Sequence, residues 1–384
     1  MTAGNAPMAA GAAGVHGDTG HIAGIPVRNL WLLMFYASDL FRQRDQAGLS
    51  AVEDNPDEIP DLVAEMLCHQ VERRISRNLS HGYQPRAAAL GRVRGRIDLL
   101  DTTRRRLLDR GRVSCRFDEL TVDTPRNRLV RAALTRIAGL IRPYPLAHRC
   151  RSLAVSLGRM GVGAQDADRR AFSVDRFGRH DAADRPMVAA AHLALELALP
   201  TEAAGNRYVC VPDREIHWIR RLYEKAIAGF YEVTLSSQGW RVQVGKTFEW
   251  PVAAESSGIR RILPTMRTDI VLDHPDDGRR LVIDTKFNAV LTPGWYREAT
   301  LRSGYLYQIY AYLRSQAENG GPLAASASGL LLHPAVGERV DEWVVVQGHA
   351  IRFATVDLGA TTGEIRAQLL GVLEFPSTLR PTSP

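Results

Sequence analysis

A chain of 384 residues is longer than one ordinary hydrophobic core sustains, and about two domains are expected. Hydrophobic content of 45% and charged content of 24% are ordinary for a globular protein, and no apolar run reaches the roughly 18–20 residues of a membrane-spanning helix. The net charge of +7 is concentrated: residues 86–131 hold 13 arginines against 6 acidic side chains, so the remainder is nearly neutral. Such a block marks a phosphate-binding face, an acidic protein partner or an Arg-rich solvated surface.

In chain order, residues 1–22 are rich in Gly and Ala and lack the basic and apolar regions of a signal peptide, so they read as a disordered leader. Residues 25–43 (IPVRNLWLLMFYASDLFRQ) predict a helix, apolar nearly all round and therefore buried, with Asn29 as its cap. Residues 60–78 form an amphipathic helix with Pro60 near its start. Residues 87–102 look extended, with bends at Gly91 and Gly95, before a short basic helix at 103–110 and a strand in RVSCRFDELTV. A helix over 123–141 has Asp123 or Thr124 as cap, Pro125 in its first turn and Leu129, Ala133, Ile137 and Leu140 at helical spacing. Helices follow at 147–159 and 185–198, with a loop at 163–184. Cys68, Cys115, Cys150 and Cys210 are scattered without a CxxC pair, which fits buried thiols in a reducing cytosol better than a metal site.

The pattern changes near residue 205. A long helix at 213–235 carries Ile216, Ile219, Tyr223, Ile227 and Phe230 on one stripe. Short strands follow in WRVQVGKTFEW, TDIVLD and RLVIDTKF, then a helix at 301–316, then strands in GLLLHP, DEWVVVQ and IRFATVDL. That order predicts an α/β domain built on a central mixed sheet flanked by helices, over residues 206–384, after a mixed α+β domain at 23–205.

Chemistry concentrates in the second half. Asp284 and Lys286 lie two apart on one strand, so they share a face, and a hairpin pairing 269–273 with 281–286 brings Asp269 beside them. Paired carboxylates are the hard oxygen ligands that Mg²⁺ prefers, and an ammonium beside them can neutralise charge on a phosphoryl oxygen. The chain contains only three lysines (Lys225, Lys246, Lys286), so a lysine between apolar residues hints at a role that arginine would not fill. On the helix that follows, Gln308 and Tyr312 stand at i and i+4, both able to hydrogen-bond a phosphate or a water. Glu224 borders the apolar stripe of the long helix as a third carboxylate, or pairs with Arg220 instead.

The spacing Asp-x(14)-Asp-x-Lys followed by Gln-x-x-x-Tyr resembles the RecB-like branch of the PD-(D/E)xK nucleases, with Thr268 where the name has Pro. The resemblance implies that Asp269 and Asp284 bind Mg²⁺, with Glu224 as a further ligand, and that Lys286, with Gln308 and Tyr312, serves catalysis. IPVRNLWLLMFYASDL, VRGRIDL, FDELTVDTPRNRLVRAAL, LPTMRTDIVL and LVIDTKF, in order over residues 25–313, resemble more narrowly the McrC family, the nuclease subunit of McrBC restriction systems. That family implies a cytoplasmic endonuclease subunit docked through residues 23–205 into a hexamer of an AAA+ GTPase (McrB-like). The partner reads double-stranded DNA carrying modified cytosine. Arg94, Arg96, Asp118, Asp123 and Arg128 are the candidate docking residues, although the last three can equally brace the 124–141 helix. Two other readings stay open: a docking adaptor that merely retains a nuclease fold, and a repair nuclease partnered with a helicase.

Overall fold

The computed structural model describes residues 21–22, 24–42, 56–164, 179–205, 212–292, 300–317, 321–335 and 339–375. Residues 1–20 of the expected leader, Cys210 and most of the 163–184 loop lie outside them. Two leader residues do have structure: β1 (His21–Ile22) pairs antiparallel with β2 (Ile25–Pro26). The first helix, α1 (Val27–Tyr36), starts two residues before the expected cap. Asn29 therefore sits inside it, and its Nδ2 donates to the carbonyls of Leu358 and Ala360 at 2.7 and 3.0 Å. A residue read as a local cap is in fact a tie to the far end of the chain.

After α2 (Asp39–Arg42) come α3 (Ile59–Ser76), β3 (Gly82–Leu90), β4 (Arg96–Ile97), α4 (Leu99–Arg104) and β5 (Val113–Thr121). The basic helix expected at 103–110 is replaced by α4 and a single 3-10 turn at Leu108–Arg110. Asp98 sets the earlier start, because its side chain accepts from the Asp101 backbone N–H at 3.0 Å. β3, β5 and β4 form a separate three-stranded antiparallel sheet, and none of residues 82–121 belongs to either apolar core cluster. Tyr83, Val93, Leu99, Leu100 and Leu108 are exposed on or beside it.

The helices α5 (Pro125–Ile137), α6 (Tyr144–Arg159), α7 (Arg185–Gly205) and α8 (Pro212–Leu235) follow. Of the two caps proposed for α5, Thr124 serves, accepting from the Asn127 backbone N–H. Cys68 and Cys150, remote in sequence, meet where α3 packs on α6, with sulfurs 3.3 Å apart. Asp184, fully buried, lies between Arg74 Nε at 2.7 Å and Arg126 Nη1 at 3.2 Å, so α3 and α5 converge on one charge. Gly229 in α8 lets this helix approach α1, since a Cβ there would lie 2.1 Å from the Tyr36 carbonyl oxygen.

The central sheet has six strands, in the order β14 (Asp341–Val346), β15 (His349–Val356), β13 (Ser328–Pro334), β10 (Arg279–Thr285), β9 (Ile270–His274), β6 (Arg241–Val244). β10 runs parallel to β13, and β13 to β15; the other neighbours are antiparallel, which makes the sheet mixed as expected. The parallel β10–β13 pair needs a crossover, and α9 (Ser303–Ala317) lies within it. Alternation sorts the sheet's two faces. Ile270, Leu272, Leu281, Ile283, Leu330 and Leu332 join the large core shared with α1, α3, α5, α7 and α8. Val271, Val282, Leu331, Ile351 and Phe353 pack with Ile309, Tyr312 and Leu313 of α9. One large apolar cluster draws its members from Ile25 to Leu373, on both sides of residue 205. Burial on both faces explains why β10 reads as a nearly unbroken apolar run. A terminal helix over Thr362–Gly371, which the sequence reading did not foresee, is fixed by a Thr361–Glu364 capping box.

Candidate active site

The site lies where β10 ends beneath α9. In the β9–β10 pairing Ile270 opposes Ile283 and Val271 opposes Val282. Val271 and Val282 face α9, so Asp284, two residues further along β10, faces it as well, and Asp269 lies in the bend just before β9 with its carboxylate on Thr285. Lys286 continues the same alternation just past the strand, its N–H donating to the Leu332 carbonyl at 3.0 Å. The structure thus brings Asp269, Asp284 and Lys286 together at the end of the β9–β10 hairpin, which pairs Ile270–His274 with Arg279–Ile283 where the sequence predicts 269–273 with 281–286.

Each group is held. Asp269 Oδ2 accepts from the Thr285 backbone N–H at 2.7 Å and from the Thr285 hydroxyl at 2.8 Å. Its other oxygen has no protein partner among the described residues. Asp284 is 1% exposed, with Lys286 Nζ 2.6 Å from Oδ2. This oxygen is ion-paired with the ammonium and has no other partner among the described residues. Burial pushes the Asp284 carboxyl up to about 6; the negative charge of Asp269 adds to the shift and Lys286 opposes it. Glu224, half-buried on α8, is raised too, by burial first and then by Asp269, which places this third carboxylate within electrostatic reach.

On α9, Gln308 and Tyr312 form a chain of contacts rather than two free donors. Lys286 Nζ donates to Gln308 Oε1 at 3.0 Å, Gln308 Nε2 to the Tyr312 hydroxyl at 2.7 Å, and that hydroxyl to the Arg267 carbonyl at 2.8 Å. Their place is beside the lysine. Gly329 lets α9 come this close, because a Cβ there would lie 2.8 Å from the Ile309 side chain.

The sequence reading passed over several neighbours. Thr285 orients Asp269, Tyr305 stands against Lys286, and Asn288 and His333 stand against Tyr305. Lys286 Nζ lies 5.0 Å from the centroid of the Tyr305 ring. Asn288 Nδ2 donates to the Tyr305 hydroxyl at 2.5 Å, and His333 Nδ1 donates to the Asn288 carbonyl at 2.9 Å. Burial holds the His333 ring down to about 4, so it is neutral at physiological pH, and the charges of Lys286 and Arg302 act in the same direction. Tyr305 could have been found from spacing, since it precedes Gln308 by three and Tyr312 by seven on one helical stripe.

Asp269 and Asp284 are the side chains able to hold a hard divalent cation, and a buried carboxyl raised by a neighbouring carboxylate fits that use. No group of three His, Cys, Asp or Glu with ligating geometry occurs among the described residues, so Glu224 is near the pair without completing a set. The candidate docking residues divide. Arg94 stacks over the Phe117 ring at 4.2 Å and stands 3.8 Å from Glu119, while Arg96 and Asp118 are exposed on the three-stranded sheet. Asp123 and Arg128 instead bind each other through two contacts of 2.6 and 2.5 Å, and Asp123 also accepts from the Gly163 N–H at 2.7 Å. That ion pair ties the start of α5 to the turn at Gly163.

Fold and site together define an α/β protein with an acidic pair and a lysine at the rim of a mixed sheet. The family model described as "McrBC 5-methylcytosine restriction system component" matches residues 18–331, and the chain belongs to that family. It is 26% identical over 353 residues, 91% of this chain and 97% of the other, to the "Type IV methyl-directed restriction enzyme EcoKMcrBC" of Escherichia coli K12. Among solved structures it is similar to a "half-complex from tetradecameric assembly of Thermococcus gammatolerans McrB AAA+ hexamers with bound McrC". That match has a TM-score of 0.40 and 13% identity, covering 90% of this chain and 76% of the other. The Thermococcus gammatolerans McrBC complex gives 0.33 and 13%, over 48% and 60%. Likeness at these scores does not define a common fold. No helix among the described residues is long and apolar enough to cross a membrane.

Proposed function

We propose that this restriction-system component is its Mg²⁺-dependent DNA endonuclease, a PD-(D/E)xK nuclease acting with an AAA+ GTPase ring. The observation that carries the reading is the convergence of Asp269, Asp284 and Lys286 at the end of the β9–β10 hairpin. Burying one carboxylate beside a second, half-buried one is costly, and a protein keeps such a pair where a cation or a reaction uses it. Asp269 and Asp284, with Glu224 beside them, would hold the metal. When bound, it supplies stabilisation of phosphoryl charge and a water that ionises readily. Thr285 fixes Asp269, while Asp284 and Gln308 hold the Lys286 ammonium where it can balance charge developing on a scissile phosphate. Arg220 and Arg267, both exposed, add positive potential at the carboxylates, suited to drawing in a DNA backbone.

The Thermococcus assembly contains McrC bound to McrB AAA+ hexamers. Carried to this chain, the three-stranded sheet is the natural docking element: it stands outside both core clusters and presents Arg94, Arg96 and Asp118. DNA with modified cytosine would be read by the ring. The test is cleavage of cytosine-methylated plasmid by the purified chain with its partner, GTP and Mg²⁺. The wild type should linearise the plasmid and Asp284→Asn should not. A wild-type chain that stimulates GTP hydrolysis without cutting would make it an adaptor.

A further inference from the structure

Gln308 and Asp284 restrain Lys286 from two sides, and its remaining side is an aromatic wall. Tyr305, Gln308 and Tyr312 occupy positions i, i+3 and i+7 of α9, so one stripe faces the lysine over about two turns. The ammonium lies 5.0 Å from the Tyr305 centroid, inside the range where a ring face attracts a cation. The ring itself is anchored: its hydroxyl accepts from Asn288 Nδ2, and the Asn288 backbone carbonyl is held by His333, whose ring centroid is 5.9 Å from that of Tyr305. Asn288 is two residues beyond Lys286, so the lysine, the amide and the ring close a small loop of contacts at the end of β10.

We propose that Tyr305, locked by Asn288 and His333, is a positioning residue for Lys286, its ring holding the ammonium against Gln308 and Asp284. The catalytic side of this rests on the nuclease reading above; the positioning contact does not. Without the ring, a flexible four-carbon stem retains one hydrogen bond and one ion pair, and the ammonium spends less time in register with the carboxylates. The effect should appear in the chemical step. Tyr305 is half-buried and contacts lysine, amide and imidazole, so a change there alters turnover more than DNA affinity.

The experiment compares Tyr305→Leu and Tyr305→Phe in the full chain, in complex with its AAA+ partner, on methylated plasmid. Tyr305→Leu should lower kcat about three- to thirtyfold, the range expected for a lost cation–π contact, with KM within about twofold. Tyr305→Phe keeps the ring and should restore most of the rate. A second readout needs no catalysis. With only three lysines in the chain, reductive methylation followed by mass spectrometry reports Lys286 against Lys225 and Lys246 as internal references. Lys286 should be methylated faster in Tyr305→Leu and at the wild-type rate in Tyr305→Phe. The proposal is overturned by unchanged kcat in the leucine variant, by equal losses in both variants, by a loss confined to KM, or by unchanged methylation. If the wild type fails to cleave while the methylation contrast holds, the nuclease reading has failed and the positioning contact has not.

Discussion

Asp284→Asn should make the metal-free protein more stable at pH 8 while abolishing cleavage. Burial and the neighbouring Asp269 raise this carboxyl from 3.8 to about 6. The native state therefore binds the Asp284 proton more tightly than the unfolded chain does, and ionisation costs stability. The cost is absent below about pH 4, grows between pH 4 and 6, and is complete above that interval. A shift of about 2 units at roughly 1.36 kcal/mol per unit comes to about 3 kcal/mol. Asn is nearly isosteric with the protonated acid, and both leave Lys286 beside a neutral group. The variant should then recover about 2–3 kcal/mol at pH 8 and about half as much at pH 5. Urea unfolding with a chelator present, at both pH values, measures the gap. Adding Mg²⁺ should raise the wild-type midpoint by linkage and leave the variant unmoved. A variant no more stable than wild type at pH 8, or a gap equal at pH 5 and pH 8, would refute the argument that burial strains this carboxylate.

Lys286→Arg should lose about a hundredfold or more in cleavage, close to Lys286→Ala, because a larger planar guanidinium does not fit between Asp284, Gln308 and the Tyr305 ring; a time course on methylated plasmid checks this. Asp184→Ala should cost about 3–5 kcal/mol in urea unfolding, since it deprives two largely buried guanidinium groups, on Arg74 and Arg126, of their shared counter-charge. The double variant Arg94→Ala, Arg96→Ala should reduce stimulation of the partner's GTP hydrolysis several-fold at low salt, with a difference that narrows as salt rises; equal stimulation at low salt would move docking elsewhere.

Much of this molecule was legible in its sequence, for reasons that are local. The 2-residue period put Asp284 and Lys286 on one face, and the apolar runs around Asp269 and Asp284 implied the hairpin that joins them. Helical spacing marked α5, α8 and α9, and Thr124 was among the residues proposed to cap α5. Contacts between elements distant in the chain were decided by tertiary packing alone. Asn29 is a plausible cap by its neighbours, yet it bonds carbonyls more than 300 residues away. Asp123 and Arg128 look equally suited to a surface role, but a loop at Gly163 closes on their ion pair. Cys68 and Cys150 become neighbours only because α3 packs on α6, and Asp184 has its two partners only because Arg74 and Arg126 meet there. The same holds for the lysine pocket. Residue type and spacing pick out Lys286, whereas Gln308 and Tyr305 reach it through the crossover that lays α9 over β10, and His333 comes near through the pairing of β13 with β10, which no local pattern encodes.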